Sequence, residues 1–138
     1  MKKILVGGCF DILHYGHIKF LGDAKKLGDH LVVALESDEN VRRMKGAMRP
    51  IHTQEQRKAM LTSLRVVDEV ILLPPMNTDE EYAKLVTDIH PAILALTEGD
   101  SMEDKKRMHA KLVSALVVVI PKIHTPSTSQ LSKLLGLE

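Results

Sequence analysis

Five short runs of apolar residues, spread along the whole chain, constrain the fold more than any other feature of this sequence. Each run is three to five residues long, is nearly unbroken and is rich in β-branched residues. Such runs are typical of strands that are buried on both faces of a sheet. We therefore predict five strands, at Ile4 to Val6, Leu31 to Leu35, Val70 to Leu73, Ile93 to Leu96 and Leu116 to Ile120.

Segments with helical periodicity separate these runs. Between the first two, residues 16 to 27 repeat apolar side chains at a spacing of three or four, and Gly28 follows where a helix C-cap belongs. Hydroxyl residues that precede an acid or amide by three positions indicate where later helices begin. They are Thr53 with Gln56, Thr78 with Glu81 and, as a weaker variant, Ser101 with Asp104. The spacing predicts helices over 54–64 and 79–89, and a last helix over about 127–135 that ends at Gly136.

The alternation of strands and helices, without hairpin signals, predicts one α/β domain over residues 1–138. The expected architecture is a Rossmann-like, doubly wound, five-stranded parallel sheet with helices on both faces. In such a sheet a ligand binds beyond the carboxyl ends of the strands, where the strand order reverses. The chemically interesting residues do follow the apolar runs, in segments 7–17, 37–49, 97–100 and 122–129. These segments are the expected walls of a binding site.

Composition excludes several classes of protein. Hydrophobic residues make up 44% and charged residues 27%, which fits neither a disordered chain nor a membrane protein. No run approaches the roughly 18 apolar residues of a membrane span, and the apolar stretch after Met1 is too short for a signal peptide. Cys9 is the single cysteine, so disulfides within the chain and zinc sites built from several cysteines are excluded. We expect a cytoplasmic protein without a membrane partner.

The net charge of +1 hides a segregation of charge along the chain. Residues 42–65 carry seven basic residues and one acid, whereas residues 77–104 carry eight acids and one lysine. Both segments are compatible with solvated helix faces. The alternative is that residues 42–65 form the positive wall of a cleft for a compact polyanion, such as a nucleoside triphosphate, while most of the acidic segment faces water. Nucleic acid is not expected, because two Phe, two Tyr and no Trp cannot build a stacking platform beyond one base on Phe10.

The segment after the first apolar run carries the strongest signal for function. A Gly-Gly pair allows close approach of a ligand to the backbone, and His14 and His17 flank Gly16 where a helix begins. Two imidazoles at a helix N-terminus can donate hydrogen bonds to a phosphoryl group. Three alternatives compete with this role. The histidines could be half-buried packing residues or exposed side chains without a function. They could also be metal ligands, although no carboxylate or cysteine nearby completes a metal site. The segment lacks the G-x-G-x-x-G pattern of dinucleotide-binding proteins.

Residues 7 to 17, with His14-Tyr15-Gly16-His17 at their core, resemble the H-x-G-H signature of the cytidylyltransferase-like nucleotidyltransferases. The resemblance covers nearly the whole chain. Further segments that resemble the family are 27–34, 37–38, 55–57 and 67–70, together with Lys45-Gly46 followed by Arg49-Pro50. Ser127-Thr128-Ser129 stands at the place of the family's C-terminal Ser-Thr-Thr motif.

The resemblance implies an enzyme that transfers a nucleoside monophosphate to a phosphate monoester and releases pyrophosphate. It implies catalytic roles for His14, His17, Lys45 and Arg57, and phosphate or acceptor contacts for Arg49 and Lys122. Mg²⁺ is expected on the substrate phosphates, without a metal site on the protein, and a homodimer is plausible. The residues implied to contact the nucleotide are Gly8, Cys9, Phe10, Asp11, Gly16, Asp100, Ser127, Thr128 and Ser129.

Three subgroups of the family look closest: the adenylyltransferase domain of ADP-heptose synthesis, the archaeal FAD synthases and glycerol-3-phosphate cytidylyltransferase. Lys45-Gly46 and Arg49-Pro50 resemble the first two, which use ATP, and Lys122 replaces an arginine of the third. We therefore expect AMP transfer from ATP to a small phosphorylated acceptor such as FMN or a sugar phosphate. The alternatives are CTP-dependent transfer to glycerol 3-phosphate or another polyol phosphate, and a nucleotide-binding sensor without turnover.

Overall fold

A five-stranded sheet, in which every neighbouring pair is parallel, organises the computed structural model, which describes residues 1–124 and 128–136. All five predicted strands are present, each within two residues of the expected bounds. They are β1 (Lys3–Gly8), β2 (His30–Leu35), β3 (Glu69–Leu72), β4 (Ile93–Thr97) and β5 (Leu116–Ile120).

Six helices connect and flank these strands in the described part of the chain. Five of them lie where the helical periodicity or the capping signals predict a helix. The six are α1 (Tyr15–Lys25), α2 (Asp38–Lys45), α3 (Gln54–Thr62), α4 (Asp79–Ile89), α5 (Glu103–Leu112) and α6 (Thr128–Leu134). No helix in the described ranges is both long and apolar enough to cross a bilayer.

The strand order is β3-β2-β1-β4-β5, so the chain winds outward from β1 to β3 and then returns to the other side of β1. Leu5 of β1 is therefore in register with Val32 of β2 on one side and with Leu94 of β4 on the other. The reversal lies between β1 and β4. A ligand site is expected beyond the carboxyl ends of these two strands.

Alternate strand residues build two hydrophobic cores, one on each face of the sheet. Ile4 and Val6 pack in the first core with α1 and α3, while Leu5 packs in the second with α4 and α5. Side chains alternate between faces along a strand, so a strand covered on both faces needs apolar residues at every position. This arrangement confirms the predicted Rossmann-like, doubly wound α/β fold.

Two of the predicted caps are confirmed. Thr53 and Gln56 form a reciprocal capping box at α3, and the Thr78 side chain accepts a hydrogen bond from the Glu81 N–H at α4. The prediction for Ser101 is wrong, because Met102 is the N-cap of α5. The Asp100 carboxylate, two residues earlier, accepts the Met102 N–H at 2.8 Å and organises the turn instead.

Gly28 is not a C-cap either, since α1 ends at Lys25 with Lys26 as its cap. Gly28 is needed for close packing: a Cβ atom there would lie 2.6 Å from the Ile4 side chain and 2.7 Å from the Lys2 carbonyl oxygen. The glycine lets the turn after α1 pass against the start of β1.

Helix α2 was not predicted from the sequence. Its eight residues are mostly charged or polar and only Val41 supplies a buried apolar side chain, so no helical period is visible. The helix is stabilised at its start by Ser37, whose hydroxyl accepts the Asn40 N–H, and by two acids in the first turn.

Candidate active site

A cleft of about 960 Å³ opens at the carboxyl ends of the strands, where the strand order reverses. Gly7 and Gly8 of β1 and Thr97 of β4 lie along it, and the first turn of α1 borders it. The site therefore lies where the sheet topology predicts it. The residues of the predicted set that line the cleft are Gly8, Cys9, Phe10, Asp11, His14, Gly16, His17, Lys45, Arg49, Asp100, Lys122 and Ser129.

His14 is the N-cap of α1, and this role fixes how its ring is protonated. Its Nδ1 atom accepts a hydrogen bond of 3.0 Å from the backbone N–H of Gly16. In the neutral ring the proton therefore lies on Nε2. Burial lowers the pKa of His14 below its ordinary value, which favours this neutral form. His14 thus presents a donor, Nε2–H, beside the unpaired N–H groups of a helix N-terminus.

His17 lies one turn into the helix and stacks beside His14, with ring centroids 4.0 Å apart. Burial, the neighbouring His14 ring and the Lys45 ammonium lower the pKa of His17 to about 4, against the opposing effect of the Ile12 backbone. Both rings are therefore neutral at neutral pH. A bound polyanion would favour their protonation, because it would replace the missing solvent stabilisation of the positive charge.

The Phe10 ring packs in a T-shaped arrangement against the His17 imidazole, with the two ring centroids 5.2 Å apart. The Phe10 side chain is only 6% exposed and belongs to the first core, and its backbone has a positive φ of 45°. A Cβ atom on Gly8 would lie 2.8 Å from this ring, so glycine is required there. The idea that a base could stack on Phe10 is corrected: the ring is buried and packs beneath His17.

Cys9 lies between Gly8 and Phe10, and burial raises the pKa of its thiol, against the opposing Lys45 charge. The Sγ atom contacts the Met44 sulfur at 3.9 Å. A buried thiol with a raised pKa stays neutral, and the backbone role of Cys9 stays a prediction.

Asp11 connects the histidine loop to the segment before α3. Its carboxylate accepts Arg49 Nε at 2.6 Å and the backbone N–H groups of Ile51 and His52 at 2.8 to 2.9 Å. Burial alone would raise the pKa of Asp11, but these hydrogen bonds and the Arg49 charge outweigh it and lower that pKa. Asp11 is 1% exposed and Arg49 2% exposed. The structure gives the pair a positioning role, which corrects the predicted nucleotide contact of Asp11 and the predicted phosphate contact of Arg49.

The prediction that Arg57 contacts a phosphate is also wrong. Its side chain is fully buried and is absent from the lining of the cleft. The guanidinium donates to the carbonyl oxygens of Cys9 and His52 at 2.8 and 3.1 Å, and to the Asp38 carboxylate at 2.7 Å. Arg57 therefore connects α3 to the loop after β1 and to the start of α2.

Lys45 keeps its predicted place. It is the last residue of α2, is exposed at the cleft, and its charge is felt by both His17 and Cys9. Lys122 also lines the cleft from beyond β5, and its side chain makes no hydrogen bond or ion pair within the described ranges. These two ammonium groups are the predicted cations that the structure leaves available to a phosphate.

Asp100 lines the cleft after β4 but already has partners. Its carboxylate accepts from Lys106 at 2.7 Å and from the Met102 N–H. Burial favours a higher pKa for Asp100, but the Lys106 and Met102 donors outweigh it and lower that pKa. Among the three predicted residues at the start of the last helix, Ser129 lines the cleft and Thr128 is the first residue of α6. Ser127 lies outside the described residues.

Sequence reasoning missed a group of polar residues on the other side of the cleft. Glu36, directly after β2, is 6% exposed and accepts hydrogen bonds from Tyr82 and Asn40. His109 and Asp79 lie nearby on the lining with Nε2 and Oδ1 3.1 Å apart. Glu36 could have been found, because an acid that follows a buried strand of a parallel sheet lies at the expected ligand edge. The others come from helix faces whose sequence period gave no sign of a cleft.

Only some residues of the basic and acidic segments lie at the cleft. From residues 42–65, Arg43, Lys45 and Arg49 line it, while Arg57 is buried behind it. Asp79 and Asp100 of the acidic segment also line the cleft, while its six other acids are absent from the lining, as expected for a segment that mostly faces water. In the described ranges no group of three or more His, Cys, Asp or Glu side chains is arranged to hold a metal ion.

Comparison with known proteins gives a consistent family. The family model described as cytidylyltransferase-like matches residues 5–133. The FAD synthase of Thermococcus kodakarensis is 38% identical over 96% of this chain and 89% of its own length. The bifunctional protein HldE of Wolinella succinogenes is 41% identical over 96% of this chain, which spans about a quarter, 26%, of that longer protein.

Solved structures agree on the fold. The lipopolysaccharide core biosynthesis protein of Thermoplasma volcanium superposes with a TM-score of 0.72 at 30% identity, over 91% of this chain and 98% of its own. The pantoate-beta-alanine ligase of Francisella tularensis, at 19% identity, shares the fold over 96% of this chain and 65% of its own with a TM-score of 0.66. With its imidazole pair at the reversal of a five-stranded parallel sheet, the chain belongs to the cytidylyltransferase-like family.

Proposed function

We propose that this protein is an adenylyltransferase that moves AMP from ATP onto a small phosphorylated acceptor, such as FMN or a sugar phosphate, and releases pyrophosphate. The observation that carries the proposal is the stacked, neutral pair His14 and His17 at the N-terminus of α1, inside the cleft at the reversal of the sheet. Similarity to a FAD synthase along most of both chains supports ATP as the nucleotide.

The reaction needs alignment and charge stabilisation more than covalent chemistry. A phosphate oxygen of the acceptor bonds to the α-phosphorus of ATP, and the bond from that phosphorus to the bridging oxygen of the β-phosphate breaks. The electron pair leaves with pyrophosphate. The Nε2–H of His14 would donate to the triphosphate, and His17 and Lys45 would take up the charge that builds on its oxygens.

Arg57, Asp11 and Arg49 would act one step away from the substrate. Together they hold the loop after β1, the start of α2 and the segment before α3 in one arrangement. This arrangement keeps Lys45 and the two imidazoles on the same side of the cleft. These three residues are positioning residues in the proposed mechanism.

Mg²⁺ is proposed as an ion carried by the triphosphate, because magnesium in such sites is bound mainly through phosphates and water. The cytoplasmic location and the homodimer stay predictions.

Pyrophosphate release tests the proposal. The purified protein is incubated with Mg²⁺ and either ATP or CTP, together with FMN, a hexose 1-phosphate or glycerol 3-phosphate. We expect release with ATP and with FMN or the hexose phosphate. Release only with CTP and glycerol 3-phosphate would establish the alternative cytidylyltransferase, and tight ATP binding without release for any acceptor would establish a sensor.

A further inference from the structure

Glu36 is the buried acid of the cleft that the proposed mechanism does not use. It follows the last residue of β2 and, although it is only 6% exposed, it belongs to the cleft lining. A buried carboxylate is costly unless donors surround it. Glu36 lies at the edge of the sheet where a ligand is expected, so its carboxylate is placed to contact a group of a bound molecule.

Two side chains hold the Glu36 carboxylate in place. The Tyr82 hydroxyl lies 3.0 Å from both Oε1 and Oε2, so its single proton is shared between them, and Asn40 Nδ2 donates to Oε2 at 3.0 Å. Asn40 is itself anchored to the Met76 carbonyl oxygen at 3.1 Å. Burial beside Glu36 raises the pKa of Tyr82 to about 12, so the phenol remains a donor.

This network leaves acceptor capacity on Glu36. A carboxylate offers about four lone-pair positions, two on each oxygen. Within the described ranges, Oε1 receives only its share of the Tyr82 proton. The carboxylate is thus oriented by the protein and can still accept a hydrogen bond from a group in the cleft.

The surroundings of Glu36 differ from those of the histidines. Apolar side chains of the second core line this part of the cleft, which we call the apolar half; they are Ala34, Leu73, Met76, Leu85, Val86 and Leu94. Lys45 lies near His14 and His17 at the other part, where its charge acts on the His17 ring. Arg43 borders the apolar half, where its guanidinium donates to the Met76 carbonyl oxygen at 2.9 Å.

We propose that Glu36 is a specificity-determining residue for the acceptor, which it recognises through a hydroxyl or N–H group remote from the reacting phosphate. This inference rests on the proposed function. The acceptor's phosphate lies with Lys45 and the two histidines, because the Glu36 carboxylate repels it. The body of the acceptor lies on the apolar half and donates to Glu36 Oε1. An acceptor without a remote donor leaves the carboxylate unpaired and is rejected.

The test compares wild type with Glu36→Gln in steady-state kinetics with ATP. The acceptors are FMN, a hexose 1-phosphate and methyl phosphate, which has no remote donor. For the best acceptor of the wild type we expect KM to rise at least about tenfold in E36Q, as the loss of a hydrogen bond to a charged group predicts. KM for ATP and the slow rate with methyl phosphate should stay within about twofold. Glu69→Gln, at the amino end of the neighbouring strand β3, is the control and should change neither KM.

A structural role for Glu36 predicts a different result. It would change KM for ATP, or the rate with methyl phosphate, as much as it changes KM for the larger acceptor, and that outcome overturns the inference. Should E36Q fail to fold, Tyr82→Phe keeps the ring packing and removes the hydroxyl that donates to Glu36 and accepts from Asn40. It should raise acceptor KM without affecting ATP, and an unchanged acceptor KM contradicts the inference.

The two proposals fail in different ways. Turnover in wild type with the same acceptor KM in E36Q overturns the role of Glu36 and leaves the adenylyltransferase in place. No turnover with any acceptor overturns the proposed function. In that case the role of Glu36 is tested by binding alone. Calorimetry measures the affinity of FMN and of the hexose 1-phosphate for the protein saturated with a non-hydrolysable ATP analogue. Weaker binding to E36Q supports its role, and equal or absent binding in both proteins overturns it.

Discussion

The packing of His17 against Phe10 and His14 lowers the pKa of its ring well below the ordinary value of a histidine. Burial and two neighbouring positive or ionisable groups disfavour its cationic form. The proposed site therefore meets its substrate with neutral donors, supported by the fixed charge of Lys45. Such a pair can gain charge as the transition state develops, which a permanently charged arginine cannot do.

Replacement of His17 by alanine should lower kcat by at least about 100-fold, the usual effect of removing one donor to a transition-state oxyanion. The measurement is pyrophosphate release at saturating ATP and acceptor. Thermal unfolding should remain cooperative, since the ring borders the cleft and is not part of the central core. The control is His30→Ala, at the start of β2, which should keep full activity. An unfolded His17→Ala protein beside an active control would make His17 a packing residue.

Acid should destabilise the free protein through His17. An unfolded histidine titrates near its ordinary pKa of 6.5, whereas folded His17 titrates at about 4. Between these two values the unfolded state binds more protons, so the free energy of unfolding falls as the pH is lowered from about 6.5 toward 4.

Urea unfolding of wild type and of His17→Gln at several pH values isolates this contribution. The difference in unfolding free energy between the two proteins should change across that window and stay constant above pH 7. A difference that is independent of pH would show that His17 titrates normally.

At the scale of single elements, two glycines that look alike in the sequence have opposite roles. Gly28 lies in the turn after α1, where a Cβ atom would clash with Ile4 and with the Lys2 backbone, whereas Gly22 in α1 has open space around it. The helical pattern of the sequence could not distinguish them, because the clash at Gly28 depends on which strand the turn passes.

Gly28→Ala should lower the free energy of unfolding by about 1 to 3 kcal/mol, the usual cost of overpacking. Gly22→Ala should raise it by up to about 1 kcal/mol, because alanine favours a helix interior. Chemical denaturation of both variants checks the pair. A neutral Gly28→Ala would mean that the turn is able to move away from β1.

The connection between elements around the site depends on Asp11. Asp11→Ala leaves the Arg49 guanidinium buried without its carboxylate, which should lower the free energy of unfolding by about 3 to 5 kcal/mol. Asp88→Ala removes an exposed pair with Lys84 and should change stability by less than about 1 kcal/mol. Urea denaturation measures both, and equal small effects would contradict the positioning role of Asp11.

At the scale of the whole molecule, the sequence predicts the sheet better than it predicts the site. Strands buried on both faces need apolar residues at every position, so all five were visible, while the mostly polar α2 was not. His14 and His17 could be predicted because a ligand-binding helix N-terminus has a short local signature. Arg57 and Asp11 could not be assigned correctly, because a cation that binds a phosphate and one that holds two loops together look the same in a sequence.

The division of the cleft is also a property of the whole fold. Lys45 reaches it from α2 and Lys122 from beyond β5, whereas Glu36 follows β2 and Tyr82 comes from α4. These residues span most of the sequence. Their meeting depends on the reversal of strand order, which places the two faces of the sheet on either side of one opening.

The most direct test of the central claim is nitrogen NMR of histidine-labelled protein during titration with ATP and Mg²⁺. If the first turn of α1 binds the triphosphate, the Nε2 signal of His14 will shift as its N–H donates to the phosphate, and the ring nitrogens of His17 will shift toward the protonated form, while His30 stays unchanged. Saturation with ATP that leaves both signals in place would contradict the account.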